Sequence, residues 1–305
     1  MIVIENLTKQ FDQFTAVDGI SLHVRSGEVL ALLGPNGAGK TTSVRMLAAI
    51  LRPTAGHARV AGFDVVREAR AVRQRVGVLT EMPGLYLRMT AAPYLDFFGQ
   101  LWGLTAAQRR ERIELLLRQF GMWDHRDQRL AEYSKGMKQK LTIIRAMLHD
   151  PSVLLLDEPT SAMDPHSAKL VRDAILSLRD DRRAIIVCTH NLPEAELLAD
   201  RIAIIRRGRI VSLGTPQELK ARLLGPPLME VRLVGSADGL VSRLADIVAV
   251  EAQREDRLRY RAPHPEEINP RVLRRLAALN CQVVTLSEVP RTLEEVYLQV
   301  VEESS

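Results

Sequence analysis

The sequence predicts an α/β protein: a largely parallel sheet with helices on both faces, followed by a small α+β domain. Three observations carry this. The first two hundred residues alternate short, continuously apolar runs with helical patterns, as strands do when helices cover both sheet faces. Between Leu87 and Asp150 that rhythm gives way to helical patterns alone. After Gly225-Pro226-Pro227, which continues neither a helix nor a central strand, the pattern changes again.

Taken in order, Val29–Leu33, Val76–Leu79, Val153–Leu156, Ala184–Cys188 and Ile202–Ile205 read as strands. In the interrupting stretch, Thr105 with Gln108 forms a capping box. Ile113, Leu116, Leu117 and Phe120 then follow at helical spacing, so 87–150 reads as a helical insertion on the core. Beyond the Gly-Pro-Pro break, strands are expected at Leu228–Val234, Ile247–Ala252, Leu258–Ala262 and Gln282–Val289. Helices fall around Leu240–Leu244 and Asn269–Leu279, giving the order βαββαβ of a ferredoxin-like domain. Thr292 and Glu295 cap a last helix whose stripe of Leu293, Val296, Tyr297, Val300 and Val301 is suited to packing. The expected division is a domain over 1–224 and an accessory domain over 228–305.

Composition narrows the class. The chain has 305 residues, 46% of them hydrophobic and 26% charged, which suits a folded globular protein and excludes wholesale disorder. Its two cysteines, Cys188 and Cys281, show no metal-ligand spacing and lie in apolar, strand-like runs. Buried reduced thiols and a cytoplasmic location are expected. No apolar run approaches the ~18 residues of a membrane span, and no signal-peptide pattern opens the chain, so it is expected neither to cross the membrane nor to be exported. The net charge of +5 is dispersed and aromatic content is 4%, which argues against a base-stacking nucleic-acid platform.

The chemistry begins at Gly34-Pro35-Asn36-Gly37-Ala38-Gly39-Lys40-Thr41, which matches G-x-x-x-x-G-K-[ST] directly after a strand and before a helix from about Thr41. Such a loop turns backbone N–H groups onto phosphate oxygens, and the helix N-terminus adds favourable donors and dipole. Lys40 is expected to reach the β- and γ-phosphates and the Thr41 hydroxyl to bind Mg²⁺, with Thr42 completing the phosphate cradle. A second element is Asp157-Glu158 at the carboxyl end of the strand starting at Val153. Adjacent strand residues point to opposite faces, so the two carboxylates serve different tasks: Asp157 for Mg²⁺, through water, and Glu158 to polarise the attacking water. Glu81 and His190 also lie just beyond strand ends. All these residues gather at the carboxyl edge of the sheet, where open α/β folds bind ligands.

With those residues in view, the chain resembles the ATPase subunits of ABC transporters. Tyr133-Ser134-Lys135-Gly136-Met137 is similar to the ABC signature sequence and precedes the Asp157 strand by about twenty residues. Ser161-Ala162-Met163-Asp164 resembles the D-loop, His190 the switch histidine, and Phe11 the aromatic residue that stacks on adenine. The match covers roughly residues 1–220, and its combined motifs are highly specific. Two departures stand out: Glu81 replaces a common glutamine, and Lys135 replaces the first glycine of the commonest signature. Both occur in relatives of the drug and antibiotic export type, which also carry a small C-terminal domain.

The resemblance implies ATP and Mg²⁺ as ligands, and a second ATPase subunit, expected to be identical. Ser134, Lys135, Gly136 and Met137 would act in trans on the nucleotide held by that subunit. It further implies an integral membrane permease as partner, a peripheral position at the cytoplasmic membrane face, and transport directed to export. The competing expectation is a soluble ABC-type ATPase acting on nucleic acid or ribosomes. Members of that kind carry long coiled coils or two cassettes in one chain, and this sequence has neither.

Overall fold

The computed structural model describes residues 1–80 and 84–303; Glu81 lies outside them. The chain divides into two compact units, 1–216 and 217–305.

In the first unit, β1 (Ile2–Phe11) and β2 (Phe14–Val24) form a hairpin, and β3 (Val29–Leu33) runs into α1 (Lys40–Leu47). Next come β4 (Ala55–Val60), β5 (Phe63–Asp64), α2 (Ala69–Arg75) and β6 (Val76–Leu79). The helical stretch holds α3 (Ala91–Leu101), α4 (Ala106–Gln119) and α5 (Lys135–Met147). The unit continues with β7 (Val153–Asp157), α6 (Pro165–Leu176), β8 (Ala184–Thr189), α7 (Leu192–Leu198), β9 (Arg201–Arg206) and β10 (Arg209–Gly214). A helix α8 (Pro216–Leu224) leads into the second unit.

The central sheet has the order β10-β9-β3-β8-β7-β6. Its strands are parallel except β10, which pairs antiparallel with β9. The apolar runs are continuous because alternate residues feed two different cores. Val153 and Leu155 of β7, with Ile186 and Cys188 of β8, pack with α1 and the hairpin sheet. Leu154, Leu156, Ile185 and Val187 point the other way, toward α3, α4 and α5. Each such fully buried side chain contributes roughly 1.5–3 kcal/mol by leaving water. All five predicted strands are present, and the Thr105–Gln108 capping box forms with both of its reciprocal bonds.

The sequence reading did not single out the second sheet of this unit, β2-β1-β4-β5. Its pairing register shifts in several places, as between Ile4 and Leu7, with Asn6 at φ 48°. Such bulges break the period of two on which strand recognition rests.

The second unit contains β11 (Leu228–Leu233), α9 (Leu240–Leu244), β12 (Val250–Arg254), β13 (Arg257–Arg261), α10 (Pro265–Ala278), β14 (Val283–Glu288) and α11 (Leu293–Glu303). The sheet order β12-β13-β11-β14, antiparallel throughout, is that of a ferredoxin-like split βαβ pair. Its own core gathers Met229, Val231, Leu258, Tyr260, Val272 and Leu276.

Three details differ from expectation. α10 starts at Pro265, not near Asn269, because Pro265 takes the first helical position and Pro270 sits inside the helix. The strand expected from Ile247 starts at Val250, since Ile247 N–H and Val248 N–H both close on Leu244 O after α9. Cys188 is fully buried in β8, but Cys281 is only half-buried and precedes β14.

Each unit encloses its own core, which generates a prediction. A chain ending at Leu224 is expected to unfold in one cooperative thermal transition and to bind a fluorescent ATP analogue with affinity near that of the full chain. Calorimetry and titration check both.

Candidate functional site

The phosphate loop is shaped by contacts that only glycine allows. Gly39 stands at φ 105°, and a Cβ there would lie 2.5 Å from Ala16 O. At Gly34 a Cβ would run into Ile205 O of the neighbouring strand β9. The loop is thus pressed against the hairpin on one side and the sheet on the other. Gly34 N–H donates to Thr189 O at 3.2 Å, tying the loop to the end of β8. Helix α1 starts at Lys40, one residue before the expected position, with Gly39 as its N-cap.

A cavity of about 440 Å³ opens over this loop. It is lined by Pro35, Asn36, Gly37, Gly39, Lys40, Thr41 and Thr42 from the loop, and by Glu158, Ser161 and His190 from the ends of β7 and β8. Phe14 and Ala16 of β2 close another side. Gly34 and Ala38 are buried beneath the loop. Phe11 is not among the lining residues; it is 44% exposed, with Lys9 Nζ 4.9 Å from its ring centroid. Phe14 is its partner in register at the hairpin end, and composition at this turn, with two phenylalanines three residues apart, was the signal for it.

At the cavity floor three side chains form a chain of charge-assisted contacts. Lys40 Nζ lies 3.3 Å from Glu158 Oε1 and also donates to Gly34 O at 2.6 Å and Pro35 O at 3.1 Å. His190 Nδ1 lies 2.8 Å from Glu158 Oε2. Glu158 has φ 50°, a left-handed conformation costly for a residue with a Cβ and found disproportionately at functional sites. That turn is pinned by Glu158 N–H donating to Cys188 O at 2.9 Å. The ammonium and imidazole therefore hold opposite oxygens of one carboxylate.

Asp157, 2% exposed, ends β7 directly opposite Cys188. Burial pushes the Cys188 thiol far up, reinforced by the neighbouring Asp157 charge, so it stays protonated beneath the loop. Thr41 and Glu158 line the cavity and Asp157 is buried at the strand end beside Glu158, and hydroxyl and carboxylate oxygens are the hard donors that Mg²⁺ takes. Among the described residues no group of three or more His, Cys, Asp or Glu could hold a metal by itself.

The signature residues lie elsewhere. Ser134 caps α5, its hydroxyl accepting from Met137 N–H at 3.2 Å. Met137 is half-buried against the helical core. Gly136 is buried, and a Cβ on it would meet Ser167 Cβ at 3.2 Å. Asp164 caps α6 by accepting from Ser167 N–H at 2.9 Å, and those bonds, led by the Ser167 side chain, draw its carboxyl below the usual range. Lys135 donates to Ala162 O of the D-loop at 2.5 Å. A cation at a helix N-terminus opposes the dipole, and this carbonyl gives it a partner. None of Ser134, Lys135, Gly136 and Met137 lines the cavity over the phosphate loop.

A phosphate loop at the carboxyl edge of a parallel sheet, facing a strand-end glutamate and histidine, defines a P-loop nucleoside triphosphatase. The comparisons with known proteins narrow the class. The model of the family "ABC transporter" matches residues 17–161, and that of "ATP-binding protein DrrA1-3-like, C-terminal domain" matches 214–301. The chain is 40% identical over 224 residues to the ABC transporter ATP-binding protein NatA of Bacillus subtilis (strain 168), covering 72% of this chain and 91% of that one. It is 37% identical over 297 residues to the daunorubicin/doxorubicin resistance ATP-binding protein DrrA of Streptomyces peucetius, covering 96% and 89%. Among solved structures, an ATP-binding subunit of an ABC transporter matches with TM-score 0.66 at 27% identity, over 74% of this chain and 94% of that one. The dimeric structure of MJ0796, a bacterial ABC transporter cassette, matches in fold with TM-score 0.64 at 22% identity, over 70% and 98%. The chain belongs to the ATP-binding subunits of ABC transporters, and it binds and hydrolyses ATP. Among the described residues no helix is long and apolar enough to cross a membrane.

The glycine contacts yield a test. Gly39→Ala is expected to weaken binding of a fluorescent ATP analogue more than about tenfold, because the added Cβ meets backbone at a strained φ and displaces the loop. Circular dichroism and the thermal midpoint show whether the fold is retained.

Proposed function

We propose that this chain hydrolyses Mg-ATP at a site shared between two copies and thereby drives a separate membrane-spanning partner, in the direction of export. The observation that carries the hydrolytic reading is the Lys40–Glu158–His190 chain on the floor of the phosphate-loop cavity. Backbone N–H groups over 36–42 cradle the phosphates at the N-terminus of α1. Lys40 exchanges the Gly34 and Pro35 carbonyls for β- and γ-phosphate oxygens, which are stronger acceptors for an ammonium. Glu158 accepts a hydrogen bond from the attacking water and polarises it, while His190 holds the other carboxylate oxygen and fixes its direction. As water oxygen bonds to the γ-phosphorus, the bond to the bridging oxygen breaks and ADP leaves. Catalysis rests on positioning and charge, as phosphoryl transfer requires.

Thr41 and Asp157 would hold Mg²⁺, with Glu81 as a further oxygen donor. The ion, when bound, neutralises charge on the β- and γ-phosphates. Adenine stacks at the hairpin tip, where Phe11 is proposed to supply the ring and Phe14 already borders the cavity. Ser134, Lys135, Gly136 and Met137 act on the partner copy's γ-phosphate, and Asp164 joins the shared face. The absence of these four signature residues from their own chain's cavity lining supports this. The nucleotide domain is proposed as 1–224, with the helical subdomain over about 87–150, and 228–305 as an accessory domain. The site then works as a peripheral subunit at the cytoplasmic face of the membrane. Export is drawn from a relative named for it, the Nod factor export ATP-binding protein I of Paraburkholderia xenovorans (strain LB400), 40% identical over 230 residues covering 75% of this chain and 76% of that one.

Two experiments follow. Glu158→Gln is expected to bind Mg-ATP about as tightly as the wild type and to lose nearly all turnover, whereas Lys40→Ala loses affinity as well. Turnover equal to wild type for Glu158→Gln, in preparations free of contaminating ATPase, overturns the assigned role.

The shared site is tested by mixing. Lys40→Ala and Ser134→Ala are each expected to be nearly inactive, and subunit exchange between differently tagged copies restores activity in proportion to the mixed dimer. Mixed dimers gather both lesions in one site and leave the other intact. Silence after demonstrated exchange argues for a site completed within one chain.

A further inference from the structure

Glu194 is a buried titratable group that the mechanism above does not use. It sits in the first turn of α7, 1% exposed. Asn191-x-x-Glu194 has the look of a capping box, and half of one forms: Asn191 Oδ1 accepts from Glu194 N–H at 3.0 Å. The reciprocal half is missing. Asn191 N–H donates instead to Thr189 Oγ1 at 3.0 Å, and the Glu194 carboxylate turns into the protein. There Thr160 Oγ1 donates to Glu194 Oε1 at 2.6 Å, and Thr189 Oγ1 donates to Oε2 at 2.5 Å. Both threonines are buried, at 6% and 0% exposure.

The two threonines belong to the segments that carry the reacting groups. Thr160 follows Glu158 by two residues, and Thr189 directly precedes His190. Pairing between β7 and β8 ends at Asp157 with Cys188, and Thr189 is the last residue paired with β3. Past that ladder the two segments share the backbone bond from Glu158 N–H to Cys188 O, and Thr160 and Thr189 lie beyond it. The Glu194 carboxylate bridges them there, one oxygen to each. Burial pushes its pKa above the usual carboxylate value, by more than the Thr160 and Thr189 hydroxyls draw it down. A buried carboxylate is costly unless its oxygens are bonded, so removing it leaves two buried hydroxyls to find new acceptors.

We propose that Glu194 is a positioning residue for ATP hydrolysis, clamping the Thr160 and Thr189 segments so that Glu158 and His190 stay within hydrogen-bond distance and face the γ-phosphate. It touches neither nucleotide nor water; it acts through the two threonines. The inference rests on the reading of Glu158 and His190 given above. Phosphate cradling lies on the loop and α1, so loss of the clamp leaves nucleotide affinity in place and lowers turnover.

The test uses the full chain, with turnover at saturating ATP, KM, and affinity for a fluorescent ATP analogue measured for Glu194→Ala, Glu194→Gln, Thr160→Val and the Glu194→Ala/Thr160→Val double variant. Glu194→Ala is expected to lower kcat between about tenfold and a hundredfold with affinity changed less than about threefold, the signature of misplaced reacting groups. Glu194→Gln keeps the shape and one carbonyl acceptor and falls between it and the wild type. Because both changes break the same link, the double variant is no slower than Glu194→Ala. The proposal is overturned by a kcat within about twofold of wild type, by affinity falling in step with kcat, or by losses that multiply in the double variant. If Glu194→Ala does not fold, Glu194→Gln and Thr160→Val give the same kcat-against-affinity comparison. Glu158→Gln in the same assay separates the two ideas: wild-type turnover there overturns the role of Glu158 itself, whatever the clamp variants do.

Discussion

The contact between Lys40 and Glu158 joins two parts of the chain that are 118 positions apart, and it exists only because three parallel strands end in register. β3 delivers the phosphate loop, β7 delivers Asp157 and Glu158, and β8 delivers Thr189 and His190. A slip of one residue in any of these strands would turn its side chains to the opposite core, exchanging the layer under the hairpin for the layer under the helices. The two apolar cores thus set the register, and the register sets the site. Backbone bonds from Gly34 to Thr189 and from Glu158 to Cys188 then fix the strand ends against each other. Charge is the last layer of this order, and it is placed by packing that has no polar content.

The surroundings of that contact also explain its chemistry. Lys40 is 6% exposed in its side chain and Glu158 9%, so water screens their attraction poorly. Lys40 also has two carbonyl partners within its own loop, which satisfy two of the ammonium's donors. Glu158 pays for its two-sided hold with a left-handed backbone, a strain carried by the pinned turn around it. An ammonium supplied with exchangeable partners and a carboxylate held from both sides are what a site needs to admit a phosphate without rebuilding itself.

Much of this was legible in the sequence, and the misses have physical causes. The parallel strands announced themselves as unbroken apolar runs because two cores claim alternate residues of each. The placement of residues 34–41, Asp157-Glu158 and His190 at the carboxyl ends of three parallel strands was legible because each follows an unbroken apolar run. The hairpin sheet was not, since its bulges and the left-handed Asn6 and Gly19 interrupt the alternation. Glu194 was hidden by a local pattern that announces a helix cap, whereas its carboxylate answers to Thr160, thirty-four positions away. Phe14 went unmarked beside Phe11 because a sequence shows two aromatic residues near one turn without showing which borders the cavity.

The close passage of α5 over α6 has a consequence for how this sequence can drift. A Cβ added to Gly136 would stand 3.2 Å from Ser167 Cβ, so side-chain volume at the two positions is shared property. A methyl group gained at 136 makes the two helices give by a few tenths of an ångström, and loss of the β-carbon at 167 removes that need, since Ser167 Cα stands at 3.7 Å, an ordinary contact distance. Ser167 also provides the N–H that Asp164 caps, and a glycine there keeps that N–H. The start of the signature helix and the start of the helix after the D-loop are therefore coupled in the room they leave for a side chain, with glycine at 167 relieving alanine at 136.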